Sequence, residues 1–203
     1  QRPLELGEVY VPLNTTLALP KNNTLASWLN ERGRAGADIP GRARESEKKT
    51  RPVTALEALT HHRSLTLLGV EGSGKSTFCN RVALTLAQAW QGYPEELRHL
   101  GTGWAHGSLL PVKIVLRRFS DWLGDRAGRA GDLRSFVAED LRDGAQGFSD
   151  KTAEYIWRIA RESGAFFVFD GLDECGDENR RDNVRNAVDE FCRNAGARSR
   201  FLL

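Results

Sequence analysis

The stretch Ser64-Leu65-Thr66-Leu67-Leu68-Gly69-Val70-Glu71-Gly72-Ser73-Gly74-Lys75-Ser76-Thr77 decides how this chain folds. Ser64 to Leu68 is a compact apolar run of strand length that ends at Gly69. Residues 69–76 satisfy the pattern G-x-x-x-x-G-K-S/T. From Thr77 to Trp90 the apolar residues Phe78, Val82 and Leu86 recur at intervals of four, the mark of a helix with one buried face. A strand, a glycine loop and a helix in this order make a cradle for phosphate. The glycines let backbone N–H groups turn inward without Cβ clashes. The helix that starts at the loop adds its positive end. Lys75 is expected to neutralise β- and γ-phosphates, and the Ser76 hydroxyl to ligate Mg²⁺. Gly69, Glu71, Gly72, Ser73, Gly74, Lys75, Ser76 and Thr77 are the candidate cofactor-binding residues. A glycine-rich turn without ligand is the bland alternative, and the flanking strand and helix speak against it.

A second stretch completes the chemistry. Ala165 to Phe169 is a five-residue apolar run, aromatic enough for a strand buried on both faces, and Asp170-Gly171-Leu172-Asp173-Glu174 follows it. An acid at the carboxyl end of such a strand lies at the crevice where α/β sheets bind ligands. Asp170 is placed to hold the Mg²⁺ ligated by Ser76, usually through water. Asp173 and Glu174 are placed to orient or deprotonate a water for attack on a γ-phosphate. With Lys75 they are the candidate catalytic residues, and spacing does not separate Asp173 from Glu174 as the base.

Elsewhere, Thr54-Ala55-Leu56-Glu57 is a capping box opening a short helix. Pro111 to Arg117 reads as a strand. Leu133, Phe136, Val137 and Leu141, begun at Asp132, form a helical stripe. Ala153, Ile156, Trp157 and Ala160, after Ser149, form another, and Val184, Ala187, Val188, Phe191 and Cys192 a third. Strands alternating with helices imply a parallel sheet covered on both sides, so the fold class is α/β. Residues 53–203 make up this core. Residues 1–52 are a weakly patterned strand and loop segment leading into it.

Composition narrows the function further. The 203 residues suit one domain, or one and a half. Lys and Arg number 29 against 27 Asp and Glu, a net charge of +2, too balanced for a protein that coats a polyanion. The five tryptophans are scattered without stacking-platform spacing, so no nucleic-acid signal is present. No apolar run approaches the roughly 20 residues of a membrane helix. Cys79, Cys175 and Cys192 are too few and oddly numbered for a disulfide framework, which points to the cytoplasm. Cys175 reads as a structural thiol, His61 and His62 as a surface turn, and Arg117 and Arg118 as solvated or paired with Asp121. With no methionine, and with Arg200 to Leu203 reading as a strand that is just beginning, the chain is expected to be part of a longer protein.

Where the two motifs combine, the chain resembles a NACHT domain, from the STAND group of signal-transducing P-loop ATPases. The resemblance rests on Gly69 to Thr77 together with Asp170-Gly171-Leu172-Asp173-Glu174, and extends to Val53–Leu59 and to Leu110–Arg117. Tyr10-Val11-Pro12-Leu13 is similar to an upstream element that lies along the nucleotide base in relatives, which adds Tyr10, Val11 and Pro12 to the cofactor-binding candidates. It implies a three-layer P-loop NTPase fold with strand order 1-4-3-2, and Mg²⁺-dependent binding and hydrolysis of ATP to ADP. It also implies self-association through the full-length protein, with effector and sensor domains fused outside this span and a role in innate-immune or anti-phage defence, or in transcriptional control, depending on those domains. Many relatives carry Pro where this chain has Glu71, so a moderated affinity is expected. The family's sensor arginine follows the fourth core strand, where this chain stops, so weak hydrolysis is expected of this span. The competing readings are a nucleotide-binding scaffold that never hydrolyses and a P-loop small-molecule kinase, although nothing resembles an arginine-rich kinase lid. A GTPase is disfavoured because no N-K-x-D motif exists.

Overall fold

A computed structural model describes residues 14–15, 53–70, 72–124, 133–144, 148 and 150–203. In chain order the elements are β1 (Asn14–Thr15), β2 (Val53–Thr54), α1 (Ala55–His61), β3 (Ser64–Leu65), α2 (Lys75–Trp90) and a 3₁₀ segment over Pro94–Leu100. There follow β4 (Leu110–Val115), α3 (Leu116–Gly124), α4 (Leu133–Gly144), α5 (Asp150–Glu162), β5 (Ala165–Asp170), a 3₁₀ turn over Leu172–Glu174, α6 (Glu178–Asn194) and β6 (Arg200–Leu202). Four strands form one parallel sheet in the order β3-β6-β5-β4, which is 1-4-3-2 as expected. That order is compatible with both Rossmann-like and P-loop folds. β1 and β2 pair separately and antiparallel, with Asn14 opposite Thr54.

Period-two alternation along β5 divides the interior into two cores. Ala165, Phe167 and Phe169 pack with Val112, Ile114, Phe136, Val184, Phe191 and Phe201 on the α3–α6 side. Phe166 and Val168 pack with Leu59, Phe78, Val82, Leu86 and Leu202 on the α1–α2 side. Every apolar residue of β5 is therefore buried, which is why the run carries no polar alternation. Phe167 is the hub of its core, with ring centroids 4.9 Å from Phe191 and 5.8 Å from Phe201.

The caps are local. The Thr54 hydroxyl accepts the Glu57 N–H at 3.1 Å, as the capping box predicts. The Asp177 carboxylate does the same for Arg180 at the start of α6. Three boundaries differ from the sequence reading. The strand expected over Pro111 to Arg117 stops at Val115, because Leu116, Phe119 and Ser120 are buried at helical spacing and open α3 instead. The strand expected over Ser64 to Leu68 is shorter: β3 ends at Leu65. The Leu67 N–H donates to the Leu203 carbonyl and carries the contact on, but Leu68 is 54% exposed. The helix expected from Thr77 starts two residues earlier, at Lys75. The helix starts assigned to Asp132 and Ser149 lie outside the described residues.

One long-range tie fastens β6 to α1. Arg200 is 8% exposed, and its Nη2 donates to the carbonyls of Leu59 (2.8 Å), Thr60 (3.1 Å) and His62 (2.6 Å), closing the C-terminal end of α1. Its Nη1 lies 3.4 Å from His106 Nδ1, while His106 Nε2 meets the Thr60 carbonyl at 2.8 Å. Burial, and then the neighbouring Arg63, lower the Arg200 pKa. Among the described residues, no helix is long and apolar enough to cross a membrane.

Candidate functional site

The loop from Gly69 to Gly74 joins β3 to α2, and its glycines are there for different reasons. Gly72 and Gly74 hold φ of 76° and 86°, a region that side-chain-bearing residues rarely adopt. Gly69 lies close to the loop's own serine instead: a Cβ there would stand 2.7 Å from Ser73 Oγ, which would have to turn aside. Gly74 is the N-cap of α2 and supplies no side-chain acceptor, so the leading N–H groups of the helix keep their positive end for another partner. Ser73 Oγ is buried without a hydrogen-bond partner. Lys75 folds back over the loop, its Nζ donating to the carbonyls of Gly69 (2.6 Å) and Val70 (3.1 Å). The ammonium thus caps the loop carbonyls. Thr77 is exposed on the first turn of α2.

The two motifs meet. Ser76 Oγ donates to Asp170 Oδ1 at 3.0 Å, joining the first turn of α2 to the end of β5 across 94 residues. The other carboxylate oxygen, Oδ2, is 2.9 Å from Lys113 Nζ, and Lys113 also donates to Asn80 Oδ1 at 2.8 Å. Lys113 and Asn80 are site residues that the sequence reading missed. Their signal was a lysine interrupting an apolar strand. Val112 and Ile114 belong to the α3–α6 core, so alternation places Lys113 on the opposite face, where α2 lies.

The acidic pair is less integrated. Gly171, with φ of 84°, turns the chain into the 3₁₀ segment that carries Asp173 and Glu174, both exposed. Glu174 Oε2 faces Arg117 Nη1 at 4.0 Å, and Glu174 is 61% exposed. Of the two expectations for Arg117 and Arg118, solvation holds, with side chains 64% and 53% exposed, whereas Asp121 lies 3.6 Å from Arg180 and Arg118 pairs with Asp140. Asp121 thus bridges α3 to the start of α6. Cys175 behaves as a structural thiol: it is buried and its Sγ contacts the Gly171 carbonyl. Burial first, then Asp173, Glu174 and Asp121, push it up to about 11. Burial similarly pushes Cys79 and Cys192 to about 12, Asp170 adding to the effect at Cys79.

The donor set fits a hard cation with a phosphate partner. Ser76 Oγ and Asp170 Oδ1, 3.0 Å apart, are a hydroxyl and a carboxylate oxygen, the hard donors that Mg²⁺ takes. Among the described residues no group of three or more His, Cys, Asp or Glu is placed to hold a metal. Two oxygen donors are what Mg²⁺ ordinarily takes from a protein when phosphate and water supply the rest. Glu71, Tyr10, Val11 and Pro12 lie outside the described residues. No protein-family model, curated protein or solved structure matches the chain, so the reading of its function rests on the site itself.

Proposed function

We propose that this chain binds ATP with Mg²⁺ and hydrolyses it, as the switch module of a larger NACHT-type signalling or defence protein. The observation that carries the reading is the 3.0 Å contact between Ser76 and Asp170, which brings the glycine loop and the acidic strand end together. In this reading the loop N–H groups and the N-terminus of α2 hold the phosphates. Lys75 exchanges the Gly69 and Val70 carbonyls for β- and γ-phosphate oxygens. Ser76 and Asp170 hold Mg²⁺, which when bound neutralises phosphate charge and polarises the γ-phosphoryl group. Glu174, or its neighbour Asp173, takes a proton from water as the water oxygen attacks the γ-phosphorus. The bond to the bridging oxygen then breaks, leaving ADP and phosphate. Self-association, and coupling to fused effector and sensor domains, belong to the whole protein in this reading.

The test is calorimetric titration of ATP and GTP with Mg²⁺ into the wild-type chain and Lys75→Ala. A charge-assisted contact to a desolvated phosphate is worth about 2–5 kcal/mol, so affinity should fall by about 30- to several thousand-fold. ATP should bind more tightly than GTP. Equal affinity for the two proteins would remove the assignment. The scaffold reading is favoured by one observation, an exposed Glu174 whose carboxylate lies 4.0 Å from the Arg117 guanidinium.

A further inference from the structure

We infer that Lys113 is a built-in counter-ion for Asp170 which competes with Mg²⁺, so that this lysine sets the Mg²⁺ concentration at which the site takes up nucleotide. The inference rests on the nucleotide reading above and deepens it. Both oxygens of Asp170 are engaged, Oδ1 by Ser76 and Oδ2 by Lys113. The pair is partly shielded, with side-chain exposures of 34% for Lys113 and 20% for Asp170, so solvent screens it less than a surface ion pair.

The ammonium is held from two elements. β4 and β5 run parallel with Lys113 beside Val168 and Val115 beside Asp170, so the lysine stem reaches forward along its own strand to the carboxylate. On the other side Asn80, from α2, accepts a second hydrogen bond at 2.8 Å. Asn80 gives Lys113 a neutral acceptor that does not depend on Asp170. Nζ can therefore give up Oδ2 without being left unpaired, as a residue that must yield to a cation requires. A divalent ion at Ser76 and Asp170 meets a fixed positive charge that already claims the same carboxylate. The lysine thus stabilises Asp170 when metal is absent and opposes metal when it arrives.

The experiment follows a fluorescent ADP analogue bound to the wild type, Lys113→Met and Lys113→Arg while Mg²⁺ is titrated, with thermal melts of each protein in EDTA. Lys113→Met keeps the stem and removes the charge. Its Mg²⁺ midpoint should fall about tenfold, and in EDTA it should melt below the wild type. Saturating Mg²⁺ and nucleotide should close most of that gap. Lys113→Arg should keep a midpoint close to that of the wild type. Should Lys113→Met fail to fold, Lys113→Gln is neutral and carries the same expectation. An unchanged or raised midpoint in the neutral variant overturns the inference, because a merely structural ion pair would lower stability without lowering the metal requirement. A wild-type chain that binds no nucleotide at any Mg²⁺ concentration overturns the nucleotide reading itself, and this shows before any variant is compared.

Discussion

Replacing Arg200 with Leu removes the guanidinium that closes α1 while keeping an apolar side chain in its place. Nη2 serves three carbonyls, but Thr60 retains His106 Nε2 as a partner, so the change strands the carbonyls of Leu59 and His62. A buried acceptor left unsatisfied costs about 1–3 kcal/mol. Against this stands the relief of a buried charge. Arg200 Nε has no partner, and burial already pushes the group toward its neutral form. The net loss should be about 2–4 kcal/mol. At about 2–4 °C per kcal/mol for a chain of this size, the melting temperature should drop by about 4–16 °C. Urea unfolding followed by tryptophan fluorescence measures it, with Arg200→Lys as the control that keeps charge but loses the planar fork and should fall between the two. A loss for Arg200→Leu below about 0.5 kcal/mol, the size of an ordinary surface change, would refute the clamp and show that desolvation cancels its bonds.

The remaining expectations concern the acids of the site and the buried thiols. Asp170→Ala should weaken Mg²⁺-dependent nucleotide binding, whereas Glu174→Gln should retain binding and slow hydrolysis by about 10²–10⁴. Single-turnover assays in the parent protein, with Asp173→Asn alongside, check this; slow turnover in Asp173→Asn alone moves the base to Asp173, and no loss in either variant favours the scaffold. The three buried thiols, raised to about 11 or 12 in the folded chain from an ordinary 9.0, retain protons that the unfolded chain releases. Folded-state proton binding then exceeds unfolded-state binding, so stability should be intact below about pH 8.5 and fall as pH rises toward 12. Iodoacetamide at pH 8 should leave all three native thiols largely unmodified, and rapid labelling of any one would contradict its burial.

Local features were legible without the structure. The capping box at Thr54, the glycine loop and the unbroken apolar run of β5 each depend on neighbours within a few residues. The Ser76–Asp170 contact was legible because both ends carry specialised patterns and the strand order brings them together. Lys113 was not, because its meeting with Asp170 depends on the parallel register of β4 and β5, a property of pairing rather than of either strand. Arg200 was missed for the same kind of reason: its acceptors lie more than 130 residues upstream. The start of α3 was obscured because strand and helix abut at Leu116 with no glycine, proline or capping residue between them. Asp121 is within helical reach of Arg117 and Arg118, at i,i+4 and i,i+3, so its turn to Arg180 of α6 is set by tertiary packing that the local sequence does not carry.

Synthesis order and spatial order diverge in this sheet. β3, the strand that launches the glycine loop, pairs only with β6 among the described strands, and β6 is the last of the four to leave the ribosome. A chain that ends after Lys75, Ser76 and Asp170 lacks the strand that lies between β3 and β5 in the finished sheet. Adding Arg200, Phe201 and Leu202 completes both cores, one through Phe201 and the other through Leu202. The fixed spacing of the two halves of the site therefore depends on a three-residue strand that is encoded after both of them.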